Sequence, residues 1–378
     1  MIPHEVDIAV GMERYYYDGW NEITARIDRP DGFKVTEEID YKPAYEWKGE
    51  VHGKYAVYLL VKKSADHFST ISEIQKVLKT KVNYLGIKDA NAITSQLVYI
   101  VAKQNNELLI QEYQKNNIYL RFLGFSSKKL NHTGNKFDIV LSTSNFNEVK
   151  ERLLEISKNP YLPAYIGYQR FGTKRPITHI IGRYFLRRDW EKAFYSILTY
   201  PFLSESKEMI IIRKLIFEGS FKEALQLIPL KFRQERQLIK NYLKFGNYYL
   251  ALKNSFIPIK LYLDAYQSYI FNLYLSRKMD DYRKMPEKGS IYVKIPIYYN
   301  NCDDVCKQIY MDEGIERDFF YLKEFKIRLR DIIRKAFMKV RDLKIEEKNC
   351  AFSFTLDRGM YATVLLREIL RGDPRNFT

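Results

Sequence analysis

An aspartate in a glycine-containing loop is the residue of this sequence best placed to do chemistry. Asp89 stands in the segment 84–96 (YLGIKDANAITSQ), directly after Lys88 and between a predicted helix and a hydrophobic run. Nearby positive charge can keep such a carboxylate ionised while apolar neighbours exclude water, and it can then act as a nucleophile. A Lys-Asp pair in a loop is more often a turn or a helix cap, so spacing alone leaves both roles open.

The composition favours an anionic, base-containing partner. The chain has 62 Lys and Arg against 46 Asp and Glu, a formal charge of +16 that attracts polyanions. Its 31 tyrosines and 23 phenylalanines offer faces for unstacked bases, although a tyrosine-rich core would use the same residues. A folded RNA fits both features, whereas a basic scaffold for other proteins fits the charge alone.

The cysteines and the apolar runs indicate the compartment. Cys302, Cys306 and Cys350 are too few and too oddly spaced for a disulfide framework, and no second Cys or His pair follows at zinc-ligand spacing. No basic flank with a sustained apolar run begins the chain, and no stretch of about 18 apolar residues occurs later. We therefore expect a protein of the reducing cytoplasm, without a metal or a membrane segment.

The first part of the chain predicts a sheet with covering helices. Strand-like runs occupy residues 54–63, 96–103, 117–124 and 137–142. Between the first two runs a helix is expected, because apolar residues recur at three-residue spacing on one face: Phe68, Ile71, Ile74 and Val77. A second helix is predicted over 146–158. Strands mixed with covering helices indicate an α+β fold.

The middle of the chain has a different pattern. From about 175 to 280 the helical period dominates, and a strand-like pattern returns at 290–300. A strand at 351–356 and a helix at 360–371 follow. Because the end of the chain resembles its beginning, insertion of a helical domain into an α+β domain explains the order with the fewest assumptions.

Five motifs follow one another along the chain. The first is Gly86-x-Lys88-Asp89-x-x-Ala92-x-Thr94-x-Gln96, and the others lie at 134–137 (GNKF), 167–172 (GYQRFG), 265–272 (AYQSYIFN) and 359–368 (GMYATVLLRE). In this order they resemble the motifs of TruD-type pseudouridine synthases, in which the aspartate of the first motif is catalytic. The segment 173–179 (TKRPITH) is most similar to archaeal members. The resemblance spans nearly the whole chain.

The resemblance implies both a fold and a reaction. The fold would be α+β: a pseudouridine synthase catalytic domain at 1–168 and 340–378, on a mixed, largely antiparallel sheet, with a mainly helical α+β insertion, the TRUD domain, at 169–339. The reaction would isomerise a uridine of tRNA, at position 13 in the D-arm or alternatively at position 35. Asp89 would attack C1′ or remove a proton to give a glycal. No cofactor is needed, and a monomer is the simplest expectation.

The resemblance also assigns side chains around the uridine. Phe137 would stack on the base, and Asn135 would hydrogen-bond a uracil edge or fix the Asp89 loop; without the motif, a core residue and a turn former are the more ordinary roles. Tyr361 would orient Asp89 or the sugar, or else only cap and pack its helix. Further substrate contacts are expected from Phe33, Lys88, Gln169 and Arg170.

A basic stretch begins just after the third motif. Its residues would contact RNA phosphates or form a solvated basic face: Lys174, Arg175, Arg183, Arg187 and Arg188. Because phosphate contacts are independent of sequence and sensitive to salt, these residues would position the tRNA without selecting the uridine.

One departure from the family pattern concerns the partner of the catalytic aspartate. The family commonly has a lysine three residues before the proline of the segment that reads RPDGFKV here (29–35), whereas this chain has Ile27. Arg26 or Lys88 could replace that lysine, and the sequence does not decide between them.

A noncatalytic alternative uses the same fold. In it the chain is a structured-RNA-binding protein or RNA chaperone, and Asp89 is merely structural. The complete motif set favours the enzyme, and turnover on tRNA separates the two.

Overall fold

The computed structural model describes residues 1–102, 109–172, 175–201, 205–316 and 319–378. Residue 103, at the end of a predicted strand, and Lys174 lie outside the described residues. The strands are β1 Phe33–Ile39, β2 Lys42–Pro43, β3 Tyr55–Lys63, β4 Asn83–Tyr84, β5 Ile93–Val101, β6 Glu112–Lys115, β7 Ile118–Ser126, β8 His132–Val140, β9 Tyr161–Pro163, β10 Tyr292–Ile295, β11 Tyr321–Leu322, β12 Ile327–Arg328, β13 Ile332–Lys335, β14 Phe337–Lys339, β15 Arg341–Glu346 and β16 Ala351–Asp357. The α-helices are α1 Glu5–Ala9, α2 His67–Leu78, α3 Phe146–Lys158, α4 Thr178–Leu186, α5 Trp190–Thr199, α6 Lys207–Phe217, α7 Phe221–Leu227, α8 Arg233–Phe245, α9 Tyr248–Lys253, α10 Ile259–Arg277, α11 Met279–Lys284, α12 Asp304–Asp312 and α13 Ala362–Leu370.

One large sheet organises the fold, in the order β15-β16-β8-β1-β5-β3-β7-β6. Its two halves, β15-β16-β8-β1 and β5-β3-β7-β6, are antiparallel, and a parallel pairing of β1 with β5 joins them. This confirms the predicted α+β fold with its mixed, largely antiparallel sheet. In the parallel pair Lys34 is opposite Ile93, so the segments that precede the two strands run side by side. This pairing brings the Arg29 region next to the Asp89 loop.

Helix α2 covers the half of the sheet that contains β3, β5 and β7. The Asp66 carboxylate caps the helix by accepting a backbone hydrogen bond at 2.8 Å, and Ile71 and Ile74 are buried against the strands. The predicted apolar face is wrong at Phe68, which is 59% exposed. In the first turn the buried position is taken by His67 instead.

The helical part of the chain lies between β9 and β14. It contains α4 to α12 and two small sheets, β10-β13 and β11-β12. Strands β9 and β14 pair antiparallel, with Tyr161 opposite Lys339, so the chain enters and leaves this part at adjacent points, as an insertion requires. A continuous apolar core joins the sheet to these helices, and the domain boundaries at 168/169 and 339/340 stay a prediction.

Three further features relate to the sequence-based expectations. A disulfide joins Cys302 to Cys306, a bond that the spacing of the cysteines did not predict. Within the described ranges, no helix is long and apolar enough to cross a membrane. Those same ranges contain no group of three or more His, Cys, Asp or Glu side chains that could hold a metal ion.

Candidate active site

A cleft of about 700 Å³ opens where β1, β8 and the loop before β5 meet helix α13. All eight residues predicted as catalytic or substrate-binding line it: Phe33, Lys88, Asp89, Asn135, Phe137, Gln169, Arg170 and Tyr361. These residues come from four of the five motifs and from the segment that begins β1. The structure therefore gathers the predicted site into one cavity.

The carboxylate of Asp89 is paired with an arginine. The Asp89 side chain is 40% exposed, and its Oδ2 lies 3.7 Å from Nη1 of Arg29, whose own side chain is only 9% exposed. Arg29 is held from three sides, because it donates to the carbonyls of Asn91 at 3.1 Å and Phe377 at 3.4 Å and lies 3.9 Å from the Phe33 ring centroid. A guanidinium fixed in this way can hold and orient the carboxylate.

Neither candidate named from the sequence is the partner of Asp89. Arg26 is 68% exposed and pairs with Asp28 at 3.1 Å. Lys88 turns away into a buried ion pair with Glu37 at 2.9 Å. Burial lowers the pKa of Arg29, and the negative charge of Asp89 opposes that shift.

A buried lysine holds the backbone of the Asp89 loop. Lys62 is 1% exposed, and its ammonium donates to the main-chain carbonyls of Asp89 and Ala65. Burial lowers the Lys62 pKa, while the negative charges of Asp89 and Asp66 oppose the shift. The loop is therefore tied to β3 beneath the cleft, which fixes where the carboxylate can point.

A polar cluster lies under the opposite wall of the cleft. The Lys88 ammonium donates to Asn135 Oδ1 at 2.8 Å and pairs with Glu37, which is fully buried and also accepts from the Leu97 N–H at 3.0 Å. His132 Nε2 lies 3.8 Å from Glu37 Oε1, the oxygen that pairs with Lys88. Burial lowers the His132 pKa. The cluster holds Asn135 through charge-assisted hydrogen bonds rather than through backbone turn geometry.

Aromatic rings form one side of the cleft. Phe33 and Phe137 are 3% and 7% exposed, with ring centroids 6.2 Å apart, and Phe137 stacks on Phe354 at 5.3 Å. Tyr361 precedes α13 without capping it through its side chain. Its ring packs against Gly167, where a Cβ atom would lie 2.8 Å from the ring. The glycine of the third motif is thus needed for the close approach of Tyr361.

Gln169 and Arg170 lie in a 3₁₀ turn, Tyr168–Arg170, at the entry to the helical part of the chain. Gln169 is exposed and Arg170 is half-buried, and both line the cleft.

The predicted phosphate-binding arginines are bound by the protein itself. Arg175 donates to the Ser196 and Ile197 carbonyls at the end of α5, and burial lowers its pKa to about 10. Along α4, Arg183 pairs with Glu313 at 3.3 Å, Arg187 donates to the Glu313 carbonyl, and Arg188 pairs with Glu324 at 2.8 Å. None of these four lines the cleft, and their contact with RNA stays a prediction, as does that of Lys174 outside the described residues.

Four residues of the site were missed from the sequence. Arg29 stands beside the family proline and could have been found by the register of β1 with β5, but β1 was not predicted. Lys62 lies near the end of a predicted strand, where the sequence alone cannot distinguish a buried lysine from a solvent-exposed one. His67 accepts from the Lys88 N–H at 3.5 Å, and exposed Phe68 stands at the rim of the cleft. No local signal distinguishes these two from ordinary helix residues.

Comparison with known proteins agrees with the motifs. The family model of tRNA pseudouridine synthase D (TruD) matches residues 9–295 and 293–369. A Saccharolobus solfataricus protein named "Probable tRNA pseudouridine synthase D" is 70% identical over 378 residues, all of both chains. Its namesake from Sulfurisphaera tokodaii is 48% identical over 98% of this chain and 100% of its own.

A crystal structure shares the fold. It is that of a Methanosarcina mazei protein whose name also refers to tRNA pseudouridine synthase D (TruD), and it is 21% identical, with a TM-score of 0.76 over 100% of both chains. By fold and motifs the protein is a pseudouridine synthase, a class of isomerases. It belongs to the tRNA pseudouridine synthase D (TruD) family.

Proposed function

We propose that this chain converts one uridine of tRNA to pseudouridine with Asp89 as the nucleophile. The observation that carries the proposal is the Asp89 carboxylate, which pairs with Arg29 on a loop whose backbone Lys62 holds, in a cleft with aromatic and amide side chains. The target we propose is uridine 13 of the D-arm, with position 35 as the alternative. A cytoplasmic location and a monomer stay predictions.

The reaction exchanges one glycosidic bond for another. The Asp89 carboxylate attacks C1′ of the extruded nucleotide, the N1–C1′ bond breaks, and its electron pair leaves with the uracil. The detached base turns, C5 bonds to C1′ and the carboxylate leaves. The C5 proton is then lost to a base and N1 gains a proton, so atoms and electrons balance without a redox partner. Arg29 orients the carboxylate throughout, and the cleft retains the free uracil.

Asn135 is proposed to read a uracil carbonyl. A lysine ammonium has only donors, so the amide atom that faces Lys88 at 2.8 Å must be the oxygen. The Nδ2 group, which has no hydrogen bond to the described residues, is left as a donor toward the cleft. A donor at this position suits a carbonyl of uracil, whereas the 4-amino group of cytosine would oppose it. Lys88 thereby sets the polarity of Asn135 without touching the base.

The aromatic side chains are proposed to stack on the base from one side and align the nucleotide. Phe137 is stacked on Phe354 and cannot tilt freely, so it offers a rigid face for the base. Phe33 lies between Phe137 and the Arg29 guanidinium and links the base wall to the carboxylate. Tyr361, packed on Gly167, would border the sugar.

The test is turnover on unmodified tRNA transcripts, mapped by carbodiimide labelling and primer extension. Wild type should give one new stop, and Asp89→Asn should give none, a loss of at least about 10³-fold in rate because the nucleophile is gone. Asp31→Asn is the matched control, since Asp31 is 70% exposed, pairs with Lys63 at 2.7 Å and lies outside the cleft lining. The position of the stop distinguishes uridine 13 from position 35.

Two results would contradict the proposal. Product formed by Asp89→Asn at the wild-type rate would remove Asp89 from the chemistry. Tight tRNA binding by wild type without product would favour the noncatalytic RNA-binding protein or RNA chaperone.

A further inference from the structure

A second groove adjoins the cleft on the helical side. It encloses about 560 Å³ between α10 and the segment from β12 to β13. Its lining contains five cationic side chains, Arg170, Lys260, Arg328, Arg330 and Arg334, against two acidic ones, Asp264 and Asp331. Of these cationic side chains, only Arg170 is predicted from the sequence to bind the substrate.

The acidic side chains do not neutralise the arginines. Asp264 pairs with Lys260 on the same helix, and Asp331 accepts a hydrogen bond from the Ile297 N–H at 3.0 Å. Among the described residues, Arg170, Arg328, Arg330 and Arg334 form no ion pair with a carboxylate. Four guanidiniums thus share one groove without an ion pair, and the carboxylate of Asp331 is the one lining acid not paired with a lysine.

Such a grouping costs free energy in the unliganded protein. Arg334 is half-buried, its Nη2 donates to the Gly359 carbonyl at 3.0 Å, and its Nε is buried without a partner. Burial lowers the Arg334 pKa, and the charge of Arg170 lowers it further. An anion in the groove would relieve the repulsion among the guanidiniums, and planar guanidiniums suit phosphate oxygens in particular.

The arrangement of the arginines along the groove favours an extended nucleic-acid strand over a small ion. Arg328 and Arg330 are both exposed and stand on either side of Leu329, which is 2% exposed, so the two guanidiniums project on the side away from the core. Arg170 lines the groove and the catalytic cleft alike. Arg170 therefore links the cationic groove to the catalytic cleft.

We propose that this groove binds successive phosphates of the RNA strand that leaves the nucleotide held in the catalytic cleft. The inference rests on the proposed function for the identity of the RNA. Its recognition would be independent of sequence, because guanidinium contacts to phosphates carry no base information.

The experiment measures tRNA binding on an Asp89→Asn background, so that the RNA stays unmodified. Arg328→Gln/Arg330→Gln is compared with Arg233→Gln/Lys240→Gln, which removes the same charge from exposed positions of α8. At roughly 0.1 M salt the groove variant should bind about tenfold more weakly, and the control within about twofold. The slope of log K against log salt should fall by about 1.4 to 1.8 for the groove variant, which loses two contacts.

Two further measurements separate the groove inference from its alternatives. Arg328 also contacts Tyr298 and Tyr321, so Arg330→Gln and Arg330→Lys are measured alone, and the lysine should restore most of the affinity. If groove and control variants lose affinity equally, the groove inference fails while turnover by wild type is untouched. Binding of tripolyphosphate is measured as well. If wild type binds it at micromolar concentration while the groove variant keeps its RNA affinity, the groove binds a small anion and the inference is overturned.

Discussion

Two sets of arginines in this protein have nearly the same appearance in the sequence and opposite circumstances in the fold. The α4 set, Arg183, Arg187 and Arg188, is bound by the carboxylates and carbonyl of a distant segment. The groove set, Arg170, Arg328, Arg330 and Arg334, lies together without a carboxylate partner among the described residues. Charge in the sequence therefore does not identify an RNA contact. The balance of partners within the fold separates stabilising arginines from those available to an anion.

If this contrast is correct, disturbing the α4 region should cost stability, and disturbing the groove should cost RNA affinity. The predictions below test the α4 side, from the largest expected effect to the smallest, and the two arginine substitutions include RNA binding as a second readout.

The largest effect should come from acid acting on His179 of α4. His179 is 4% exposed and stacks on Tyr269 at 4.9 Å, and burial, with Arg183 nearby, lowers its pKa to about 3. The unfolded chain takes up this proton near pH 6.5, so stability is fully present above that pH and is lost as the pH falls toward about 3. The slope should reach about 1.4 kcal/mol per pH unit from this residue.

Urea unfolding of wild type and His179→Phe between pH 7 and pH 4 measures this slope. The phenylalanine keeps the stacking and removes the titration, so its stability should depend less on pH. Equal slopes for the two proteins would show that His179 does not anchor α4 as a neutral base.

A smaller effect should follow from Arg183→Met. The pair with Glu313 is largely buried, and Glu313 keeps a hydrogen bond from the Tyr266 hydroxyl at 2.8 Å. Loss of one partner should therefore cost about 2 kcal/mol, less than for an isolated buried pair. Thermal or urea unfolding gives the stability, and tRNA affinity should stay within about twofold. A tenfold loss of affinity with unchanged stability would reverse the contrast and support α4 as an RNA surface.

The smallest effect should be that of Arg188→Gln. Its pair with Glu324 is 36% exposed on the arginine side, so solvent screens most of the interaction. We expect about 0.5 kcal/mol of stability lost, also by urea unfolding, and no change in RNA affinity. Arg188→Lys should recover the charge but not the hydrogen bond to the Tyr321 carbonyl at 3.0 Å. A larger loss for the lysine than for the glutamine would contradict this ranking.

Local sequence patterns predicted many of the helices and strands. The helix predicted at 146–158 has those bounds, and the strands predicted at 54–63 and 117–124 are within two residues of β3 and β7. Strand β1 was missed because its burial follows no period-two pattern, with six of its seven positions buried. A strand covered on both faces usually reads as a continuous apolar run, but β1 has the polar residues Thr36, Glu37 and Glu38 at buried positions.

The motifs predicted many of the residues that line the cleft, whereas the others are brought there by long-range contacts of the fold. Asp89, Asn135 and Phe137 were identified because their motifs are contiguous in sequence. Arg29 reaches the Asp89 loop from 62 positions before Asn91, through a strand register that no local pattern encodes. The sequence also could not show that Arg183 pairs with Glu313, because that carboxylate lies 130 positions away; the predicted contact of Arg183 with RNA stays a prediction.

The bond from Arg29 to the carbonyl of Phe377 has a bearing on biosynthesis. These residues are 348 positions apart, and Ile27 also donates to the carbonyl of Asn376 at 3.1 Å. The contacts of Arg29 and Ile27 with this segment therefore form only after residues 376–377 have been synthesised. A nascent chain that still lacks residues 376–377 has its aspartate but not its fully braced partner, so modification of RNA should begin only after synthesis has passed that point.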